Sequence, residues 1–211
     1  DGNLQTTSYA CFKTDNGLPL VEGVDYMVNQ GKIYFLIVPT SDVYCEMTNP
    51  AFPALTLRTV DFTVDRPATL PEPTITFISE KDGNLEFRIA SNSPNNSTAY
   101  IDWGDGNIVS GQFFNVLTTR STSDYVAGHT VKVYADGISK MDISLQGITN
   151  LDISRCTELT ELDCSQNSLM ALNVASNTEL TRLECYMNNM GSLNVDNNHK
   201  LQELSCHTNE S

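Results

Sequence analysis

Between residues 138 and 211 the apolar positions fall on a fixed frame of twenty-one residues. Leu151, Leu172 and Leu193 lie one step apart, as do Leu159, Leu180 and Leu201, then Leu162, Leu183 and Leu204, then Cys164, Cys185 and Cys206. Asn167, Asn188 and Asn209 keep the step at a polar position. A constant period of this length marks stacked structural repeats, each burying its apolar side on the next. One full repeat reads Leu159-x-x-Leu162-x-Cys164-x-x-Asn167-x-Leu169-x-x-Leu172-x-Val174-x-x-Asn177. Ile138, Met141, Ile143, Gln146, Ile148, Leu151, Ile153 and Cys156 fit the same frame, with Gln146 and Cys156 at asparagine positions, so the array begins near Ile138.

Within a repeat, Leu162-Asp163-Cys164 predicts a short strand with Leu and Cys turned inward and the residues between them outward. The outward positions form rows: Lys140 and Asp142; Glu161 and Asp163; Arg182, Glu184 and Tyr186; Glu203 and His207. Asn167 and Asn188 follow the strand, where an amide can bond the backbone of its own and neighbouring repeats.

Residues 1–137 follow a different pattern. Lys32–Val38, Val43–Thr48 and Leu55–Val64 are short β-branched and aromatic runs. Three prolines at 67, 71 and 73 predict an extended linker over 67–73. Beyond it, 74–79, 85–89, 99–103 and 129–134 read as strands with no helical period between them, which predicts a β-sandwich over 74–137. Asp105-Gly106 is a tight-turn signal, and Trp103 alternates with Ile101 toward the sandwich core. Residues 1–66 predict a separate small β-sandwich. The fold class is therefore mainly β throughout.

The Leu-x-x-Leu-x-Cys-x-x-Asn-x-Leu stretch at 159–169, with Leu-Asn-Val at 172–174 and 193–195, resembles the leucine-rich repeat in the 21-residue form of secreted bacterial, internalin-like surface proteins. Tyr100-Ile101-Asp102-Trp103-Gly104-Asp105-Gly106 resembles the Trp-Gly-Asp-Gly signature of PKD domains, an immunoglobulin-like module of cell-surface proteins. The resemblances imply a bacterial extracellular or surface-anchored location, a leucine-rich-repeat solenoid over 138–211, and a preceding sandwich that caps it. They also imply recognition of a protein or glycan through the concave repeat face, with Lys140, Asp142, Glu161, Asp163, Arg182, Glu184, Tyr186, Glu203 and His207 as candidate contacts. An accessory module of a carbohydrate-active or surface assembly, and a structural stalk, are the alternatives.

Net charge is −14, spread as −8 over 1–137 (16 acidic, 8 basic) and −6 over 138–211 (10 acidic, 4 basic). Such an even acidic surface argues against nucleic acid and anionic membranes as partners. No apolar run is long enough to span a bilayer, and no leader is present. The array stops near Asn209 without a polar cap, which predicts self-association through that end or a truncated chain.

Candidate chemistry is sparse. Cys164, Cys185 and Cys206 share one inward column and read as buried thiols. Cys11 and Cys45 sit in strand-like stretches and can bridge in an oxidising compartment; two unpaired core cysteines are the alternative. The carboxylate pairs Asp102/Asp105 and Glu161/Asp163 read as turn and strand residues rather than a glycosidase pair. His129, His199 and His207 share no motif with a nucleophile, and no metal-ligand or phosphate-loop spacing is present. No cofactor, metal site or catalytic residue is expected. The sequons at Asn95 and Asn96 read as a polar loop.

Overall fold

The computed structural model describes residues 7–29, 32–36, 41–49, 55–61, 71–92 and 97–209. The expected linker 67–73 is described only from residue 71, and both sequon asparagines lie outside the described residues. The chain is mainly β, with no helix among the described residues. It divides into two compact units, Asp1–Pro71 with Ile108–Ser110, and Glu72–Asn107 with Gly111–Ser211.

The first unit contains β1 (Ser8–Lys13), β2 (Tyr26–Asn29), β3 (Lys32–Phe35), β4 (Val43–Thr48) and β5 (Thr56–Arg58). They form an antiparallel sheet in the order β1-β4-β5 and a β2-β3 ribbon. Cys11 stands directly opposite Cys45 in the β1–β4 register. The Cys45 amide and carbonyl bond Thr59, and the Cys11 carbonyl accepts from the Leu20 amide, so the two cysteines face each other at the closer, non-hydrogen-bonded kind of site. There they form a disulfide that closes a 34-residue separation, buried among Leu20, Tyr26, Phe35 and Val43. Of the two readings open for this pair, the bridge is the one observed.

Apart from Ile108–Ser110 of β9, which group with the first unit, the second unit contains β6 (Ile75–Ser79), β7 (Gly83–Ser91), β8 (Ser97–Asp102), β9 (Ile108–Phe113), β10 (Thr118–Tyr125), β11 (Thr130–Tyr134), β12 (Ile138–Asp142), β13 (Ile148–Asp152), β14 (Glu161–Asp163), β15 (Arg182–Glu184) and β16 (Glu203–Ser205). One sheet runs β10-β7-β12-β14-β15-β16 and the other β13-β6-β11-β8-β9. The repeat strands β12, β14, β15 and β16 are parallel and in register, with Lys140, Glu161, Arg182 and Glu203 aligned at the twenty-one-residue step. The first repeat does not merely abut the strands before it. β12 pairs antiparallel with β7, and β13 pairs antiparallel with β6. The expected division at 137/138 thus falls inside two shared sheets. A single apolar cluster runs from Ile75 and Phe77 through Phe87, Met141 and Leu162 to Leu183 and Met190.

Local chemistry accounts for the joins. Asn167 Nδ2 donates to the carbonyls of Ile143, Cys164 and Ser165, and its Oδ1 accepts from the amides of Gln146 and Ile148. Asn188 repeats this with Cys164, Cys185, Tyr186 and Leu169. Gln146 occupies the same position in the first repeat, where the preceding neighbour is β7 rather than a repeat. Its longer side chain reaches across, and Oε1 accepts from the Glu86 amide at 3.1 Å. Cys156, at the Asn177 position, lies 3.6 Å from the Thr74 carbonyl instead. Both departures from the repeat pattern sit at the junction. The residue before each of these amides, Leu145, Gln166, Met187 and Thr208, has φ between 52° and 59°, a left-handed turn without glycine.

Three expectations need correction. Trp103 is half-buried, packed at the core's rim with its ring 5.6 Å from that of Phe87. The Asp105-Gly106 turn is wider than a two-residue hairpin: Trp103–Asn107 joins β8 to β9, and Asp102 Oδ1 accepts from the Gly104 and Gly106 amides. Gly104 (φ 102°) is required there, because a Cβ would come within 2.6 Å of His129 Cβ. Cys164 and Cys185 are buried, but Cys206 is exposed, as is Leu204 beside it, since no further repeat covers them among the described residues.

Candidate functional site

The outer face of the six-stranded sheet collects the outward residues into three rows. The first aligns Lys140, Glu161, Arg182 and Glu203, alternating in sign. Lys140 Nζ lies 2.6 Å from Glu161, and Arg182 Nε lies 3.2 Å from Glu203. In-register parallel pairing would place like charges side by side if each repeat carried the same residue, and the alternation avoids this. Arg182 also pairs with Glu184; that hydrogen bond first, then the charges of Glu184, Glu203 and Glu161, hold its guanidinium above the usual arginine value.

The second row aligns Arg88, Asp142, Asp163 and Glu184. Arg88 bonds Asp142, so the row begins on β7, outside the repeats. Asp142 and Asp163 each accept from the amide and hydroxyl two residues on: Ser144 at 3.0 and 2.8 Å, Ser165 at 3.0 and 2.6 Å. Asp163 stands between two other carboxylates, and among the described residues no cation pairs with it.

The third row lies just past the strand ends. Tyr186 and His207 stack with ring centroids 4.9 Å apart and planes 12° apart, and Gln166 Nε2 reaches the Tyr186 hydroxyl at 3.4 Å. Over the first two rows opens a concavity of about 130 Å³, bounded by Leu117, Lys140, Asp142, Glu161, Asp163 and Arg182 among others. Leu117 precedes β10 and is 40% exposed, beside exposed Phe114 and Val116. A shallower concavity of about 410 Å³ lies on another side of the repeats, against Ala171, Leu172, Asn173, Ser192 and Asn194.

All nine sequence-derived contacts therefore gather on or beside one face. Sequence reasoning missed Arg88 and Leu117, which come from β7 and the segment before β10; no local signal marks which distant strand joins the repeats. The other carboxylate pair is occupied structurally. Asp102 is buried and lies 3.4 Å from Lys132, and Asp105 accepts from the Asn107 amide and side chain, bonds that hold its carboxyl below the usual value. Among the described residues no group of three or more potential metal ligands is present, and no helix is long and apolar enough to cross a membrane. Compared with protein-family models, curated proteins and solved structures, the chain matches none of them.

Proposed function

We propose that residues 138–211 form a leucine-rich-repeat solenoid continuous with an immunoglobulin-like, PKD-type sandwich. On this reading the chain is a non-enzymatic recognition or adhesion protein of the bacterial surface or exterior, which binds a protein or glycan through the outer sheet face. The observation that carries this reading is that face itself. Four in-register parallel strands and β7 offer ordered rows of charged side chains, flanked by a stacked Tyr–His pair and an exposed leucine. Large ordered surfaces of this kind bind rather than cleave, and tyrosine and arginine are the usual anchors of interfaces. The Cys11–Cys45 disulfide supports an oxidising, extracytoplasmic setting.

Screening the purified chain against a glycan array and a panel of extracellular proteins tests the proposal. Glu161→Ala, Arg182→Ala and Tyr186→Ala should each weaken whatever binds. A ligand held with undiminished affinity by all three variants removes the face from the argument.

A further inference from the structure

The concavity over the first two rows has a composition that selects its occupant. One wall is the exposed Leu117 side chain, and the floor carries Asp163. Every other carboxylate of these two rows has a cation: Asp142 has Arg88, Glu161 has Lys140, and Glu184 and Glu203 have Arg182. Among the described residues Asp163 has the amide and hydroxyl of Ser165, both on Oδ1. Its register partners on either side are Asp142 and Glu184. Like charges directly opposite in a sheet repel, and of these three carboxylates Asp163 is the one without a cation among the described residues.

We infer that the concavity receives one lysine or arginine side chain of a partner protein, its aliphatic stem on Leu117 and its cationic head on Asp163. Such side chains are amphipathic, apolar along the stem and charged at the tip, and a volume of about 130 Å³ suits one of them. The lining also holds Lys140 and Arg182, but these are already paired with Glu161, Glu184 and Glu203, so among the described residues the charge left without a counterpart in these rows is the Asp163 carboxylate, beside the apolar Leu117. The inference rests on the recognition role proposed above and names the partner chemistry for that same face.

The test uses four blocked tripeptides, acetyl-Gly-X-Gly-amide with X as arginine, lysine, norleucine or glutamate, titrated into the isotope-labelled 211-residue chain and followed by amide chemical shifts. Arginine and lysine peptides should shift amides around 140–142, 161–163 and 182–184, and the stronger of the two identifies the preferred head. Norleucine and glutamate peptides should not. Asp163→Asn should weaken the cationic peptides about tenfold or more, the size expected for losing a charge-assisted hydrogen bond. Its amide oxygen can still accept from Ser165, so the fold should persist, with an unfolding temperature equal to or above the parent's. Leu117→Ser should weaken binding about threefold. Equal binding of norleucine and arginine peptides, or unchanged affinity in Asp163→Asn, would overturn the inference. The two readings fail separately. If Asp163→Asn keeps a protein ligand that Arg182→Ala loses, the pocket falls and the recognition role stands. If the peptides behave as expected but no macromolecule binds, the reverse holds.

Discussion

Replacing Asn188 by alanine should destabilise the second unit by about 2–6 kcal/mol. Asn188 is 3% exposed. Its Oδ1 is the acceptor found for the Leu169 amide, at 3.0 Å. Truncation orphans that buried N–H, at a cost of about 1–3 kcal/mol. The Nδ2 group carries two protons and serves the carbonyls of Cys164 and Cys185 at 3.0 and 3.1 Å. Losing both bonds adds about 0.5–1.5 kcal/mol each, and the vacated volume adds a little more. Asn177 provides the contrast. It is fully buried and donates to the Ile153 and Cys156 carbonyls, but its Oδ1 has no partner among the described residues. Asn177→Ala therefore loses the donors alone, about 1–3 kcal/mol. The chain has one tryptophan, Trp103, in the second unit and packed on Phe87, so urea unfolding followed by tryptophan fluorescence reads that unit selectively. A cost below about 1 kcal/mol for Asn188→Ala, or a larger cost for Asn177→Ala, refutes the assignment of the amide column as the structural link between repeats.

Further expectations concern the cysteines and the backbone. Reducing the Cys11–Cys45 bridge should destabilise the first unit by about 4 kcal/mol, from the chain entropy of a closed loop of roughly 35 residues, and leave the tryptophan-detected transition in place. Of the four free thiols, only exposed Cys206 should react rapidly with a disulfide reagent at pH 8 without denaturant. Burial pushes Cys156 and Cys185 up to about 12 and Cys164 well above its ordinary value of 9.0. A raised folded-state value stabilises fully below the unfolded one and is lost as pH climbs, so the second unit's urea midpoint should fall between about pH 9 and pH 12. A midpoint that stays flat from pH 8 to 11 contradicts that burial. Leu145→Gly should raise stability by about 0.5–1 kcal/mol, since Leu145 is 61% exposed and held at φ 59°, and the left-handed conformation costs a non-glycine residue about 1–2 kcal/mol. Thermal unfolding that shows a loss instead would mean the leucine side chain contributes packing.

The repeats were legible because one physical constraint is stated four times over: Leu162, Leu183, Cys164 and Cys185 must all turn inward if parallel strands are to stack. The strand at Val43–Thr48 matches its sequence-based bounds for a related reason, since its buried positions alternate with less buried ones. β10 was missed because Thr118–Asp124 contains no apolar residue, and it lies at a sheet edge where none is demanded. The pairing of β7 with β12 was illegible as well, because long-range strand choice depends on tertiary packing rather than local pattern. Gln146 and Cys156 stand at asparagine positions of the repeat. Only the identity of their neighbours, Glu86 and Thr74, explains them. The left-handed turns at Leu145, Gln166, Met187 and Thr208 carry no glycine or asparagine to announce them.

Because β12 takes its antiparallel partner from β7 and its parallel partner from β14, the antiparallel part of the sheet meets the parallel part at a single seam. Everything beyond that seam is added in equal increments. One more or one fewer segment of twenty-one residues would change the width of the face by a single strand spacing, ~4.8 Å, and would add or remove one side chain in each row. The reach of the surface and its charge order can therefore vary in discrete steps while the seam, with Gln146 and Arg88 on either side of it, stays the same.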